Sequence, residues 1–167
     1  MNILVMYHSR TGKTRALAEA VARGVEEVAG AVCLLKPAAE VTTDDFVSAA
    51  GIIAGSPVYF GTMAAELKSV LDKLITVRKK MAGKVGAAFA TSAHPSGGKE
   101  TTMMSIIQAL LIYGMIVVGD PLDASGHYGA AGSGAMDKET AETARMLGKR
   151  VAELAKALYS SSLEKRY

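Results

Sequence analysis

The sequence predicts an α/β fold: a parallel sheet lying between two helical layers. Three observations carry this. Short, nearly all-apolar runs of strand length recur along the chain, as in strands buried on both faces. Between them, apolar residues repeat at the three- and four-residue spacing of amphipathic helices. The two patterns alternate, which implies parallel pairing, right-handed crossovers and helices on both faces of the sheet.

Asn2–Tyr7 (NILVMY) reads as the first strand. Leu17, Val21, Val25 and Val28 then recur at helical spacing, and Gly30 is suited to end that helix. Ala31–Leu35 is a second strand closed by Pro37, and Thr42 or Thr43 caps a short helix through Ala49. Gly51–Gly55 (GIIAG) is a third strand, stopped by Ser56-Pro57, and Leu67, Val70, Leu71, Leu74 and Ile75 form the next helix face. Lys84–Thr91 (KVGAAFAT) is the fourth strand, and Ile106, Ile107, Leu110 and Leu111 share a helix that Gly114 ends. Met115–Gly119 (MIVVG) is the fifth strand, and Asp137 caps a final helix carrying Ala144, Leu147, Val151, Leu154 and Leu158. Five strand–helix units use up 167 residues, so a single domain over residues 1–167 is expected, a three-layer sandwich.

Composition narrows the setting. Half of the residues are hydrophobic and 21% are charged, enough apolar material for a core and too much for a disordered chain. No apolar run reaches the roughly 20 residues of a membrane helix, and Asn2–Tyr7 is too short for a signal sequence, with no basic segment before it. The lone Cys33 has no internal disulfide partner. A cytoplasmic protein with no membrane partner is expected. The net charge is +3, but the cations are spread. The densest cluster, Arg78-Lys79-Lys80, reads as a solvated helix end, so no nucleic-acid partner is expected.

In open α/β sheets ligands sit beyond the C-terminal strand ends, where the strand order reverses, so function reduces to the loops there. The first, His8-Ser9-Arg10-Thr11-Gly12-Lys13-Thr14, combines hydroxyls, a glycine and the free N–H groups of a helix start, which suits a phosphate monoester. A Walker A loop would need a glycine where Tyr7 stands, and G-x-G-x-x-G is absent. The bland alternative is a polar N-cap at Ser9 or Thr11. The third loop, Ser56–Thr62, sets Tyr59 beside Phe60 in a chain with six Tyr, three Phe and no Trp. A ring there suits a flat heterocycle, and Gly61 permits close backbone approach; alternatively Phe60 plugs the core. The fourth loop, Thr91-Ser92-Ala93-His94-Pro95-Ser96-Gly97-Gly98, exposes N–H groups suited to ligand carbonyls. The fifth, Asp120–Met136, is long and glycine-rich. His8, His94 and His127 all fall on these loops, but with no short ligand pair; no metal is expected.

These segments resemble the flavodoxin-like FMN flavoproteins, most closely the WrbA-like NAD(P)H:quinone oxidoreductases and related FMN reductases. Ser9-Arg10-Thr11-Gly12-Lys13-Thr14 matches that family's S/T-x-T-G-x-T phosphate loop. Gly55-Ser56-Pro57-Val58-Tyr59-Phe60-Gly61 is similar to its G-[ST]-P-x-[YR]-[FYW]-G segment, and Tyr128-Gly129-Ala130 to a Y-G-A segment. The resemblance implies a five-stranded sheet of order 2-1-3-4-5 and noncovalent FMN. It puts the phosphate on Ser9, Arg10, Thr11, Gly12, Lys13 and Thr14. It puts the ring system between Pro57, Val58, Tyr59, Phe60 and Gly61 on one side and Thr91, Ser92, Ala93, His94, Gly97 and Gly98 on the other. A histidine shortly before the fifth strand serves the active site in that group, and Tyr113 holds the position here. His94, Tyr113 and His127 are thus the candidates for a catalytic proton donor.

Two activities compete within this resemblance. One is an oxidoreductase passing electrons from NAD(P)H through FMN to a quinone or similar acceptor. The other is a flavodoxin-type carrier docking redox protein partners. Carriers of this kind tend to be acidic, whereas this chain has a pI near 9.0 and no carboxylate in Ser56–Thr62. Such loops tolerate the anionic reduced flavin and the phosphates of NAD(P)H, which favours the oxidoreductase. A homodimer or higher homo-oligomer is a further expectation, with Met103, Met104 and Asp120–Met136 available for contact.

Overall fold

The structure, a computed structural model, describes residues 1–164. Strand β1 (Asn2–Tyr7) leads to helix α1 (Lys13–Glu26), and β2 (Val32–Pro37) to α2 (Thr43–Ser48). Next come β3 (Gly51–Tyr59), the short β4 (Thr62–Met63) and α3 (Ala65–Lys73), which runs on as a 3-10 segment over Leu74–Met81. Then follow β5 (Val85–Ser92), α4 (Lys99–Ile112), β6 (Ile116–Val117), β7 (Gly129–Ser133) and α5 (Lys138–Glu164).

The central path is β2-β1-β3-β5-β6, all parallel. This is the expected order of five strand positions, drawn with seven strands. The first added strand is β4, antiparallel to the end of β3. The second is β7, which pairs with Ala88–Ser92 of β5, while β6 pairs with Val85-Gly86. The fifth position is therefore split, and the chain leaves it over residues 118–128 before returning. The expected loop Asp120–Met136 thus contains a strand. Gly129–Ser133 (GAAGS) has no β-branched or large apolar residue, so neither propensity nor periodicity marks it. Ala130 is fully buried, and it is the ladder with β5 that makes the segment a strand.

Alternate residues of β1 explain its continuous apolar run. Ile3 and Val5 enter a core beneath α1 and α5, while Leu4 and Met6 enter a second core beneath α2, α3 and α4. All four are fully buried. In the first core α1 and α5 meet backbone to backbone. A Cβ on Gly24 would stand 1.8 Å from the Arg145 carbonyl oxygen, and one on Gly148 would stand 2.0 Å from that of Val21. In the sheet the Phe89 ring lies over Gly55, where a Cβ would stand 1.9 Å from it. Met103, an expected contact residue, is buried in the second core, whereas Met104 is exposed.

Local chemistry sets the helix starts. Thr42 and Asp45 form a reciprocal capping box: the Asp45 N–H donates to Thr42 Oγ1 and the Thr42 N–H to Asp45 Oδ2. Lys36 Nζ also donates to Asp45 Oδ2, at 2.7 Å. Lys36 and these Thr42 donors together hold the Asp45 carboxyl down at about 2. Asp137 accepts from the Thr140 N–H at 2.7 Å, the expected cap of α5.

Two outcomes are expected. Gly148→Ala should lower stability by about 2 kcal/mol in chemical denaturation, because crowding against α1 outweighs the gain of roughly 1 kcal/mol in helix propensity. Asp45 contributes stability that is present above its unfolded pKa near 3.9 and is lost as pH falls towards 2. Asp45→Asn should therefore flatten the stability–pH curve between about pH 4 and pH 2.

Candidate functional site

The loop after β1 is built around Gly12. Its φ of +86° is a left-handed conformation that glycine adopts freely, and an added Cβ would meet nothing. Gly12 is the N-cap of α1 and offers no side-chain acceptor, so no N-cap side chain takes the N–H groups of Lys13 and Thr14. Ser9 Oγ accepts only from the Arg15 N–H, at 3.2 Å. Beneath the loop Thr14, 2% exposed, pairs its hydroxyl with that of Thr91 at 2.8 Å. This contact ties the start of α1 to the end of β5, and periodicity gives no sign of it.

The stretch Ser56–Thr62 is a hairpin rather than an open loop, because β3 continues through Tyr59. Val58 pairs with Met63 and Tyr59 with Thr62. Phe60 (φ +51°) and Gly61 (φ +78°) form the turn, both left-handed as a two-residue type I′ hairpin requires. Buried Ser56 pins the hairpin, its Oγ donating to the Pro57 carbonyl and accepting from the Ala64 N–H. The Phe60 ring stands entirely in solvent at 109% exposure.

The turn after β5 closes on itself. The Gly97 N–H donates to the His94 carbonyl, which also accepts from Ser92 Oγ at 2.6 Å. A Cβ on Gly97 would stand 2.7 Å from that of Ser92. Gly98 (φ +82°) caps α4, and a Cβ there would stand 3.4 Å from Gly61 Cα, so this turn and the hairpin meet at a pair of glycines.

Between these loops lies a cleft of about 430 Å³ lined by Arg10, Thr11, Lys13 and Thr14, by Pro57, Val58 and Tyr59, and by Thr91, Ser92 and Ala93. Behind the Gly12 loop a second cavity of about 360 Å³ reaches Gly132, Ser133, Gly134 and Thr140. No carboxylate lines either space, while Arg10 and Lys13 supply cations. A helix N-terminus whose N-cap, Gly12, has no side chain, together with hydroxyls and two cations, favours an anion such as a phosphate monoester. Half-buried Tyr59 adds an aromatic wall.

A family model described as NADPH-dependent FMN reductase matches residues 1–129. The chain belongs to that family. It is 34% identical over 187 residues to an NAD(P)H dehydrogenase (quinone) of Archaeoglobus fulgidus, covering 93% of this chain and 98% of the relative. It is 35% identical over 158 residues to a flavodoxin of Aquifex aeolicus, covering 90% and 85%. The fold is similar to that of a WrbA-like flavodoxin of Agrobacterium tumefaciens, with a TM-score of 0.80, 28% identity and coverage of 93% and 98%.

The donor set fits the FMN of this reductase family. The phosphate suits the carboxylate-free Gly12 loop, and the flat ring suits the apolar wall of Pro57, Val58 and Tyr59. Every residue lining the cleft was expected from the sequence. Other expected residues play different parts. Ser9 accepts from the Arg15 N–H in the first turn of α1, Gly12 lines the second cavity, and Gly61, Gly97 and Gly98 shape the rim. Phe60 neither plugs the core nor lines the cleft. His94 is exposed beside the cleft. His127 is exposed on the 118–128 excursion, which buried Asp120 holds by accepting from the Gly126 and His127 N–H groups. Among the described residues no three His, Cys, Asp or Glu converge as metal ligands.

Tyr113 is a correction. It follows α4 at the opposite, N-terminal end of the strands, is 3% exposed, packs edge-on against Phe46, and donates its hydroxyl to the Leu71 carbonyl. Burial pushes its pKa up to about 12, and it cannot reach the cleft. Two neighbours of the cleft escaped the sequence. Gly132–Gly134 carry no periodic signal, and Glu66 lies 3.7 Å from His8, whose ring meets Tyr59 edge-on.

A bulky residue held left-handed with its ring in water stores strain and loses no packing if replaced. Phe60→Asn, the pairing with glycine that I′ turns favour most, should raise stability by about 1 kcal/mol in denaturant titration.

Proposed function

We propose that the protein is an FMN-dependent oxidoreductase that uses NAD(P)H to reduce a quinone or a similar small acceptor. The observation that carries this reading is the carboxylate-free cleft under the uncapped N-terminus of α1, walled by Tyr59. The names of the relatives support the donor and the acceptor.

FMN bound here supplies two-electron transfer: NAD(P)H, a proton and a quinone become NAD(P)⁺ and the quinol. The chain's own part is to bind, orient and balance charge. The N–H groups of Lys13 and Thr14 with the Thr11 hydroxyl hold the phosphate, and Arg10 offsets its charge. Lys13 does the same or points to solvent. The Thr14–Thr91 pair keeps this subsite in register with the β5 end. Pro57, Val58 and Tyr59 flank the ring, and the backbone of Thr91–Ala93 with Gly97 and Gly98 faces its polar edge. Phe60, exposed at the rim, would be free to cover the outer side of a ring bound there. His94 and His127 are the exposed groups on the neighbouring loops from which a proton can reach the acceptor. The reading places the protein in the cytoplasm, where nicotinamide nucleotides are held, as one FMN-binding domain.

The flavodoxin relative favours a second reading, a carrier that docks redox proteins. Stopped-flow spectroscopy separates the two. The oxidoreductase predicts rapid bleaching of the FMN-loaded protein by NADH or NADPH and recovery on adding a quinone. Bleaching only by a low-potential protein partner would establish the carrier. Thr11→Glu should weaken FMN binding at least about a hundredfold by opposing the phosphate. Fluorescence titration with FMN checks this, and unchanged affinity would place the phosphate elsewhere.

A further inference from the structure

The end of the molecule opposite the cleft carries a second recess. The 3-10 segment Leu74–Met81 and the end of α4 enclose a groove of about 730 Å³ between Ile75, Ala82, Tyr113 and Arg78-Lys79-Lys80. Gly83 and Gly114 precede β5 and β6 and are joined by a hydrogen bond of 2.9 Å, which fixes the groove at the N-terminal edge of the sheet. Aliphatic side chains stand in water around it. Ile75 is 47% exposed, Leu111 55%, Ile112 57% and Ile116 47%. Leu111 and Ile112 come immediately before the groove's Tyr113-Gly114, and Ile116 just after.

The cations on the lip are exposed. Among the described residues no ion pair or side-chain hydrogen bond involves Arg78, Lys79 or Lys80. No carboxylate lines the groove, and nearby Asp72 is held by Lys68 at 2.6 Å. An aliphatic patch edged by unneutralised cations is complementary to a surface with an apolar interior and anionic headgroups.

We propose that this end of the protein docks on an anionic lipid bilayer, with Ile75, Ile112 and Ile116 entering the interface and Arg78, Lys79 and Lys80 meeting lipid phosphates. A second copy of the chain fits less well. In a two-fold contact the patch would meet itself and oppose like charges. A protein partner also fits less well: interface cores favour aromatic residues and Met and deplete Lys, whereas this patch is aliphatic with Lys at its edge. Among the described residues no helix is long and apolar enough to cross a membrane, and a surface contact needs none. The expectation of no membrane partner rested on the lack of a spanning run and of a signal-like segment, and neither bears on a surface contact. Docking here leaves the cleft facing water, at the other end of the strands. The inference does not depend on FMN.

Sedimentation with sucrose-loaded vesicles tests it. The full chain should bind vesicles of phosphatidylcholine with one-third phosphatidylglycerol at low salt, and not vesicles of phosphatidylcholine alone. Binding should weaken as salt rises. R78Q/K79Q/K80Q should lower partitioning roughly a hundredfold, from about fivefold per cation. R23Q/K138Q/K149Q, which removes the same charge elsewhere, should bind within about twofold of wild type, since those cations lie off the patch. Ile112→Asp should weaken binding several-fold with its circular dichroism unchanged. Equal binding to both vesicles, no binding to the anionic ones, or equal loss in both triple variants would overturn the proposal. So would a dimer in sedimentation velocity that Ile112→Asp dissolves, since the face would then join two copies.

Discussion

Helices α1 and α5 touch backbone to backbone at Gly24 and Gly148, and much of the structure depends on that contact. It sets α1 beside α5 over the sheet, where Leu17, Val21 and Val25 are buried in the first core. It also fixes where α1 begins. The Thr14–Thr91 hydroxyl pair holds the first turn of α1 against the end of β5 in a defined position. A larger residue at the crossing would lift the helix, and the Gly12 loop would move with it.

With both sheet faces covered, the cleft and the groove lie at the two ends of the strands. At the C-terminal end the loops are polar, glycine-built and free of carboxylates, and they enclose the cleft. The strain at Phe60 sits there, on a hairpin otherwise well held by Ser56 and by Ser105, whose hydroxyl accepts from the Met63 N–H. Strain kept at one exposed ring beside a ligand cleft points to a use for that ring outside the fold's own packing. At the N-terminal end the surface is aliphatic and cationic. The two ends differ in chemistry as well as position, so they can bind different things without competing.

The residues that line the cleft were legible because their signal is local. Gly12 between hydroxyls at a helix start, Pro57 and Tyr59 after a buried strand, and Gly97-Gly98 before a helix are each short patterns with one physical meaning. The residues that lie far apart in sequence were not legible. Nothing near Thr14 announces Thr91, and nothing in GAAGS announces a strand until β5 supplies its ladder. Tyr113 went astray for a related reason. Its place just before the fifth strand was readable, but which end of the sheet it faces follows from the direction of α4, and its burial from Phe46 and Leu71.

The sequence by itself therefore determined the alternation of strands and helices, the buried strands, and the glycine-centred loop between the first strand and helix, since periodicity and turn chemistry act over a few residues. Only the tertiary structure decided the split fifth strand, the hairpin that carries Phe60, the exile of Tyr113 from the cleft and the gathering of Ile75, Tyr113 and Arg78-Lys79-Lys80 around one groove. Each of those depends on which distant segments meet, and long-range contact leaves no period in the chain.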